Sequence, residues 1–427
     1  MRLRALFGSR MAKAVLTLST GAAASQVISF VVYPLLTRLY SPEAFGLFAS
    51  FSSVVSAVAS VAALQYQLAL PLPRSNQRAF DILVLAMFVN VFSVILLSGA
   101  LCFVPASLGA FGISREHLSA LRFLLPLGVL ASATYSVLSM WAVREREYRV
   151  MSTTRVAQSA VTAALKLGGG ITAPTGLALV VSGLLGSGVG IGSITRRTLT
   201  GRGFRIPSFS TLLKTARRYW RFSVLGAPAE LLNTVSASAP VLLVGALYSL
   251  SDTGQFSLVL SVVGVPIALF RSSLEKVFFG EAGKLGVNRA SEIQNLMGRF
   301  AKRAFVLTLP VGAALAIGGP WLFGVVFGSG WVLAGEFSRF FSIFLVANLV
   351  STPFESIFPL FERQGLALLL SATKAAIAVA SFWFPYAMGL SVAVAVGSYA
   401  TSMAMFYVVL GTVARATVAN VVKRMGL

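Results

Sequence analysis

Apolar stretches of roughly 20 residues or more recur along the whole chain, separated by short polar gaps. A helix of about 20 apolar residues crosses the ~30 Å hydrocarbon core of a bilayer, so no other feature restricts the fold as tightly. Backbone N–H and C=O groups find no water in lipid, and each stretch must satisfy its hydrogen bonds internally; strand-like alternation is absent. The expectation is an all-α polytopic membrane protein of about twelve transmembrane helices. The approximate spans are 12–36, 44–70, 80–105, 118–143, 148–170, 174–195, 222–247, 253–279, 301–327, 334–361, 364–385 and 389–413. Composition agrees: 56% of residues are hydrophobic and 11% charged, with a mean hydropathy of +0.83, too apolar for a surface facing water.

Charge then orients the spans. Six of the 35 Lys and Arg lie four or more residues from either end of a span: Arg122, Arg155, Lys166, Arg271, Arg339 and Lys374. With the N-terminus in the cytoplasm, Arg38 and Arg115 are the only cations in outer loops, and all the others lie in cytoplasmic segments or in the last few residues at the cytoplasmic ends of spans. This asymmetry is the positive-inside pattern, and it places both termini in the cytoplasm. The net charge of +22 is thus largely topological and requires no nucleic-acid partner. The basic start, Met1 to Lys13, and the run Ala22-Ala23-Ala24-Ser25 could belong to a cleaved signal peptide, but apolarity continues unbroken to Leu36. An uncleaved first helix is the better reading.

Chemistry needing a thiolate or imidazole cluster is excluded by inventory, since the chain has one cysteine, Cys102, and one histidine, His117. No metal site or cofactor is expected. Cys102, in an apolar run, reads as a packing residue, and His117 as a solvated residue of a short outer loop.

The halves on either side of the basic stretch Arg196–Arg221 resemble each other. Tyr40-Ser41, Gly46 and Phe48 recur as Tyr248-Ser249, Gly254 and Phe256. Further on, Arg122-Phe123, Val129, Ser139 and Glu145-Arg146 recur as Arg339-Phe340, Val346, Ser356 and Glu362-Arg363. Chance matching in low-diversity apolar sequence is the competing explanation, but the matches fall at corresponding topological positions. The expected organisation is an N-lobe over 1–195, a basic cytoplasmic loop over 196–221 lying against anionic headgroups, and a C-lobe over 222–427. Two six-helix lobes related as parallel repeats are a transporter architecture, with a substrate cavity at the inter-lobe interface.

The run from Pro34 through Arg38, Pro42 and Gly46 to Phe48 resembles the first loop of bacterial polysaccharide flippases of the Wzx type, in the MATE-like exporter superfamily. Leu64–Pro73, Val143–Arg149 with Arg155–Gln158, Gly264–Pro266 and Val277–Ala282 are also similar to that family, which extends the resemblance over most of the chain. One departure is Gln65-Tyr66-Gln67, where such flippases often carry Arg-Tyr-Glu; two amides stand in place of an ion pair, so the resemblance does not carry a coupling role over to them. The resemblance implies translocation of an undecaprenyl-pyrophosphate-linked oligosaccharide from the cytoplasmic to the periplasmic leaflet of the inner membrane, for O-antigen or exopolysaccharide assembly. It also implies a non-enzymatic monomer working beside a polysaccharide polymerase and a chain-length regulator.

Charges inside spans are costly, roughly 2.5–3.5 kcal/mol each on insertion scales, and so tend to face interiors or cavities. Arg155, Arg271 and Lys374 are the leading candidates for pyrophosphate contact, with snorkelling or ion pairing as the alternative. Arg122 and Arg339, equivalent in the repeat and near the outer interface, are candidates for an exit site or for snorkelling. Lys166, near its helix end, reads as an anchor. Glu230 and Glu355 are candidates to bind a proton or sodium ion, or else to neutralise a nearby cation. Scattered amides, among them Gln158 and Asn348, could serve sugar hydroxyls or interhelical bonds.

Three other functions compete. A cation-coupled drug exporter of the same superfamily usually needs a carboxylate in its first helix, and Ala14–Leu36 has no Asp or Glu. A peptidoglycan-precursor flippase usually has two further helices, for which no room follows Val413. A membrane polymerase or ligase would be expected to carry a large periplasmic loop, and the outer loops here are short.

Overall fold

The computed structural model describes residues 10–103, 115–198, 203–285, 289–361 and 363–425, and the described secondary structure is helical. The helices are α1 (Arg10–Leu39), α2 (Pro42–Ala62), α3 (Asn76–Phe103), α4 (Arg115–Arg144), α5 (Tyr148–Thr172), α6 (Gly176–Thr198), α7 (Phe209–Arg218), α8 (Ala227–Leu247), α9 (Leu250–Leu285), α10 (Ala290–Phe327), α11 (Val332–Glu355), α12 (Gln364–Ala387) and α13 (Val392–Met425). Among the described residues, 10 helices are long and apolar enough to cross a membrane, and the chain is a multi-pass membrane protein. α5 has the length, at 25 residues, but carries Arg149, Arg155, Lys166 and a series of hydroxyls. In α9 the apolar stretch is confined to Leu250–Val265.

The helices group into two compact units, Met1–Ala246 and Leu247–Leu427. In the first, α5 packs between α1 and α6, while α4 packs against α2, α3 and α6. Trp141 of α4 is fully buried, edge-on to Phe80 and to Phe204, which stack on each other at 4.6 Å. In the second unit, α11 packs against α9, α10 and α13. Its core is aromatic: Phe256, Phe341, Phe382 and Tyr399 meet at ring separations of 5.2–6.4 Å. α10 and α11 approach through Gly319 and Gly335; a Cβ on Gly335 would lie 2.4 Å from the Pro320 Cα.

Local structure at the repeated Tyr-Ser pairs is also shared. Ser41 caps α2 by accepting from the Ala44 amide at 3.4 Å, and Ser249 caps α9 by accepting from the Asp252 amide at 3.0 Å. Each satisfies one of the four amides that a helix start leaves without a partner.

Three details differ from the sequence expectations. The span over 44–70 is not one helix: α2 stops at Ala62, Leu64 and Gln65 take φ of +47° and +58°, and a 3-10 turn covers Tyr66–Ala69. Gln65 donates to the Ser60 carbonyl at 2.6 Å and accepts from Gln67 at 3.3 Å, so the two amides close this helix end. Arg144 holds the segment beyond it, donating to the carbonyls of Leu70 and Pro73 and to Asn76 Oδ1. Cys102 is exposed near the end of α3 rather than packed. His117 belongs to the first turn of α4 rather than to a loop, and its side chain lies outside the described residues.

Candidate functional site

The second unit gathers a polar cluster inside its apolar body. Arg271, on α9, forms an ion pair with Glu355 at the end of α11 and another with Glu275, one turn along its own helix, at 3.0 Å. Its guanidinium also approaches Asn348 Oδ1 at 3.4 Å. Asn348 in turn donates to the Tyr407 hydroxyl of α13 at 2.7 Å, and the Lys374 ammonium, from α12, lies 5.4 Å from the Tyr407 ring centroid. One chain of contacts therefore links Glu275, Glu355, Arg271, Asn348, Tyr407 and Lys374 across four helices. Each charge in a low-dielectric body needs such partners. The carboxylates neutralise Arg271, whereas Lys374 has an aromatic face and no carboxylate among the described residues.

The other sequence candidates are dispersed. Arg155 is exposed two turns into α5, and Arg339 is exposed on α11; neither forms an ion pair among the described residues. Arg122 is partly buried on α4. Glu230, in the first turn of α8, is partly buried and accepts from Thr234 Oγ1 at 3.3 Å. Arg271, Glu355 and Lys374 are thus brought into one cluster; Arg155, Arg122 and Glu230 belong to the first unit. Two members of the cluster escaped the sequence reading. Glu275 carried a usable signal, its spacing of four residues from Arg271 on one helix. Tyr407 carried none, being one aromatic in an apolar span.

In the first unit, the basic connector folds into α7. Ser208 caps it, accepting from the Thr211 amide at 3.4 Å. Phe209, Leu212 and Leu213 share one face, opposite Lys214 and Arg218, with Arg217 at its edge. Leu212 is buried against α3. A cleft of about 860 Å³ opens between α7 and the start of α3, lined by Arg74, Arg78, Lys214 and Arg218 with Asp81. Four cations about one open cleft suit anionic groups.

These features define a class: a multi-pass helical membrane protein whose fold is similar to that of several solved transporters. A lipid II flippase, MurJ, in an inward closed conformation superposes with a TM-score of 0.71 at 11% identity, over 96% of this chain and 88% of that one. An inward-facing multidrug resistance transporter of the MATE family gives 0.59 at 14% identity, over 95% of both chains. A transporter of the same superfamily from Pyrococcus furiosus, described as having a binding pocket of reversed polarity, gives 0.56 at 14% identity, over 96% of both chains. No curated protein matches the sequence. The particular family follows from the sequence: residues 35–335 match the polysaccharide biosynthesis protein family, and the chain belongs to it.

Proposed function

We propose that this protein is a flippase that moves an undecaprenyl-pyrophosphate-linked oligosaccharide from the cytoplasmic to the periplasmic leaflet of the bacterial inner membrane, for O-antigen or exopolysaccharide assembly. One observation carries the reading beyond family membership: Arg339 and Lys374, on helices long and apolar enough to span a membrane, and Arg155, on the 25-residue α5, have no carboxylate partner among the described residues. Cations kept in lipid-embedded helices at such cost serve an anion. A pyrophosphate leaving water needs charge-assisted hydrogen bonds to replace its hydration, while the polyprenyl tail stays in lipid.

In this account the two lobes, 1–195 and 222–427, alternate access to the two leaflets, and no covalent chemistry is required of the protein. The basic cleft by α7 faces the cytoplasm and receives the pyrophosphate. Arg155, Arg271 and Lys374 then carry it, and Arg122 and Arg339 serve its exit. Release of Arg271 from Glu355 is the step at which a proton or sodium ion would act, with Glu230 as the second candidate. The test is reconstitution into vesicles with a fluorescent lipid-linked oligosaccharide and an impermeant lectin. Protein-dependent exposure of the glycan on the opposite leaflet is expected; exposure equal to that of empty vesicles refutes the reading.

The fold shared with multidrug exporters favours a second reading, cation-coupled export of small molecules. It predicts gradient-driven uptake of cationic dyes, which a path lined with cations should repel.

A further inference from the structure

The first unit contains an open cavity of about 410 Å³ among α1, α2, α4, α5 and α6, a size within the ordinary range of small-ligand pockets. Its wall has an unusual chemistry for a membrane helix bundle. Hydroxyls project from every one of these helices: Ser29, Ser52 and Ser56, Ser132, Ser159 and Thr162, and Ser187. On α5, Gln158, Thr162 and Lys166 follow at intervals of four residues, so one helical face delivers an amide, a hydroxyl and an amine. Ser52, Ser56, Ser132, Ser159, Thr162 and Gln158 make no side-chain hydrogen bond among the described residues. All six line the cavity, and their hydrogen-bonding capacity is not spent on bonds within the helices.

Lys166 gives the site its sign. Its ammonium sits 3.8 Å from the Phe48 ring centroid, and no Asp or Glu is among the lining residues. The backbone there is held, since Tyr40 donates to the Lys166 carbonyl at 2.7 Å. An ammonium enclosed in a helix bundle with only an aromatic face beside it lacks the anion that would compensate its lost hydration. A ligand could supply that anion. A phosphate or pyrophosphate would be matched by arginine forks or several cations, whereas this wall offers one amine, many hydroxyls and aromatic faces from Tyr33, Phe48 and Phe51. That combination suits a monoanion rich in hydroxyls with an apolar ring face.

We propose that this cavity is a subsite for a carboxylated pyranose, with Lys166 pairing the carboxylate, the serine and threonine hydroxyls bonding the ring hydroxyls, and the aromatic rings covering its C–H face. The proposal rests on the flippase reading in one respect: the sugar would be a unit of the transported glycan, which is then acidic.

Saturation-transfer NMR on the full-length protein in nanodiscs tests it, with methyl glucuronide, methyl glucoside and inorganic phosphate as probes. Saturation of the glucuronide ring protons is expected, at least tenfold weaker for the glucoside, not displaced by equimolar phosphate, and lost in Lys166→Met. Ser132→Leu, which fills the cavity from α4 and leaves Lys166 in place, should abolish the signal as well. Equal saturation by glucuronide and glucoside, full displacement by phosphate, or an unchanged signal in either variant overturns the proposal. So does the absence of a glucuronide signal in the wild type. A protein that binds the glucuronide but moves no lipid-linked oligosaccharide retains the subsite and loses the flippase reading. One that moves neutral glycans and binds no glucuronide does the reverse.

Discussion

Arg271 shows what a single charge requires inside this fold. Its partners Glu275 and Glu355 reach it from two helices, so removing one carboxylate leaves a cation partly buried with incomplete compensation. Breaking such a pair from one side costs about 3–5 kcal/mol where it is well buried, and replacing both partners by apolar groups costs much less. Thermal unfolding should therefore show non-additivity: Glu355→Leu and Arg271→Met each lower the midpoint, and the double variant recovers much of the loss. Additive losses would mean that the pair contributes nothing jointly. The same pair shows what a one-dimensional reading conceals. Arg271 and Glu355 were each conspicuous as charges in apolar spans, but they are separated by 84 positions, and only the packing of α9 against α11 reveals that one neutralises the other. Lys166 was conspicuous too, yet its anchor reading missed the cavity, because the hydroxyls around it come from five helices and share no local pattern.

At the scale of the element, the spans were legible because hydrocarbon thickness sets a minimum apolar length. The expected span 174–195 appears as Gly176–Thr198 and 364–385 as Gln364–Ala387, whereas 148–170 is a helix of the expected length that is not among the ten apolar enough to span. Ends defined by backbone conformation were not legible. Leu64 and Gln65 occupy the left-handed region without a glycine to signal it, and the basic residues Arg299, Lys302 and Arg303 continue α10 well beyond its apolar part. Helix–helix contact is the second determinant at this scale. α10 and α11 approach through Gly319 and Gly335, where an added Cβ meets backbone rather than a movable side chain. Gly335→Ala should lower stability by about 3 kcal/mol, the upper part of the overpacking range, read as a reduced unfolding midpoint and a lower monodisperse yield. A variant as stable as the wild type would show that the two helices can separate without loss. The caps are gentler: Ser249→Ala should cost about 1 kcal/mol, measurable in the same unfolding experiment. No change would mean that the amide at Asp252 finds another acceptor.

For the whole molecule, the two populations of positive charge have different work. Those outside the spans line the basic cleft beside α7, and in the proposed account they orient the chain by the positive-inside pattern. Those inside the spans have no topological use and are the ones that the proposed function engages. If a proton drives the cycle, translocation in vesicles should respond to an imposed pH gradient, and the response should be removed by Glu355→Gln if Glu355 is the coupling residue and by Glu230→Gln if Glu230 is; rates indifferent to both pH and sodium gradients would rule out both residues as coupling sites. The most direct test of the central claim compares wild-type protein with the combined Arg155→Ala, Arg271→Ala and Lys374→Ala variant in vesicles carrying fluorescent undecaprenyl-pyrophosphate oligosaccharide, after confirming that the variant is folded. The account predicts that glycan exposure in the variant falls to the level of protein-free vesicles; translocation at the wild-type rate would contradict it.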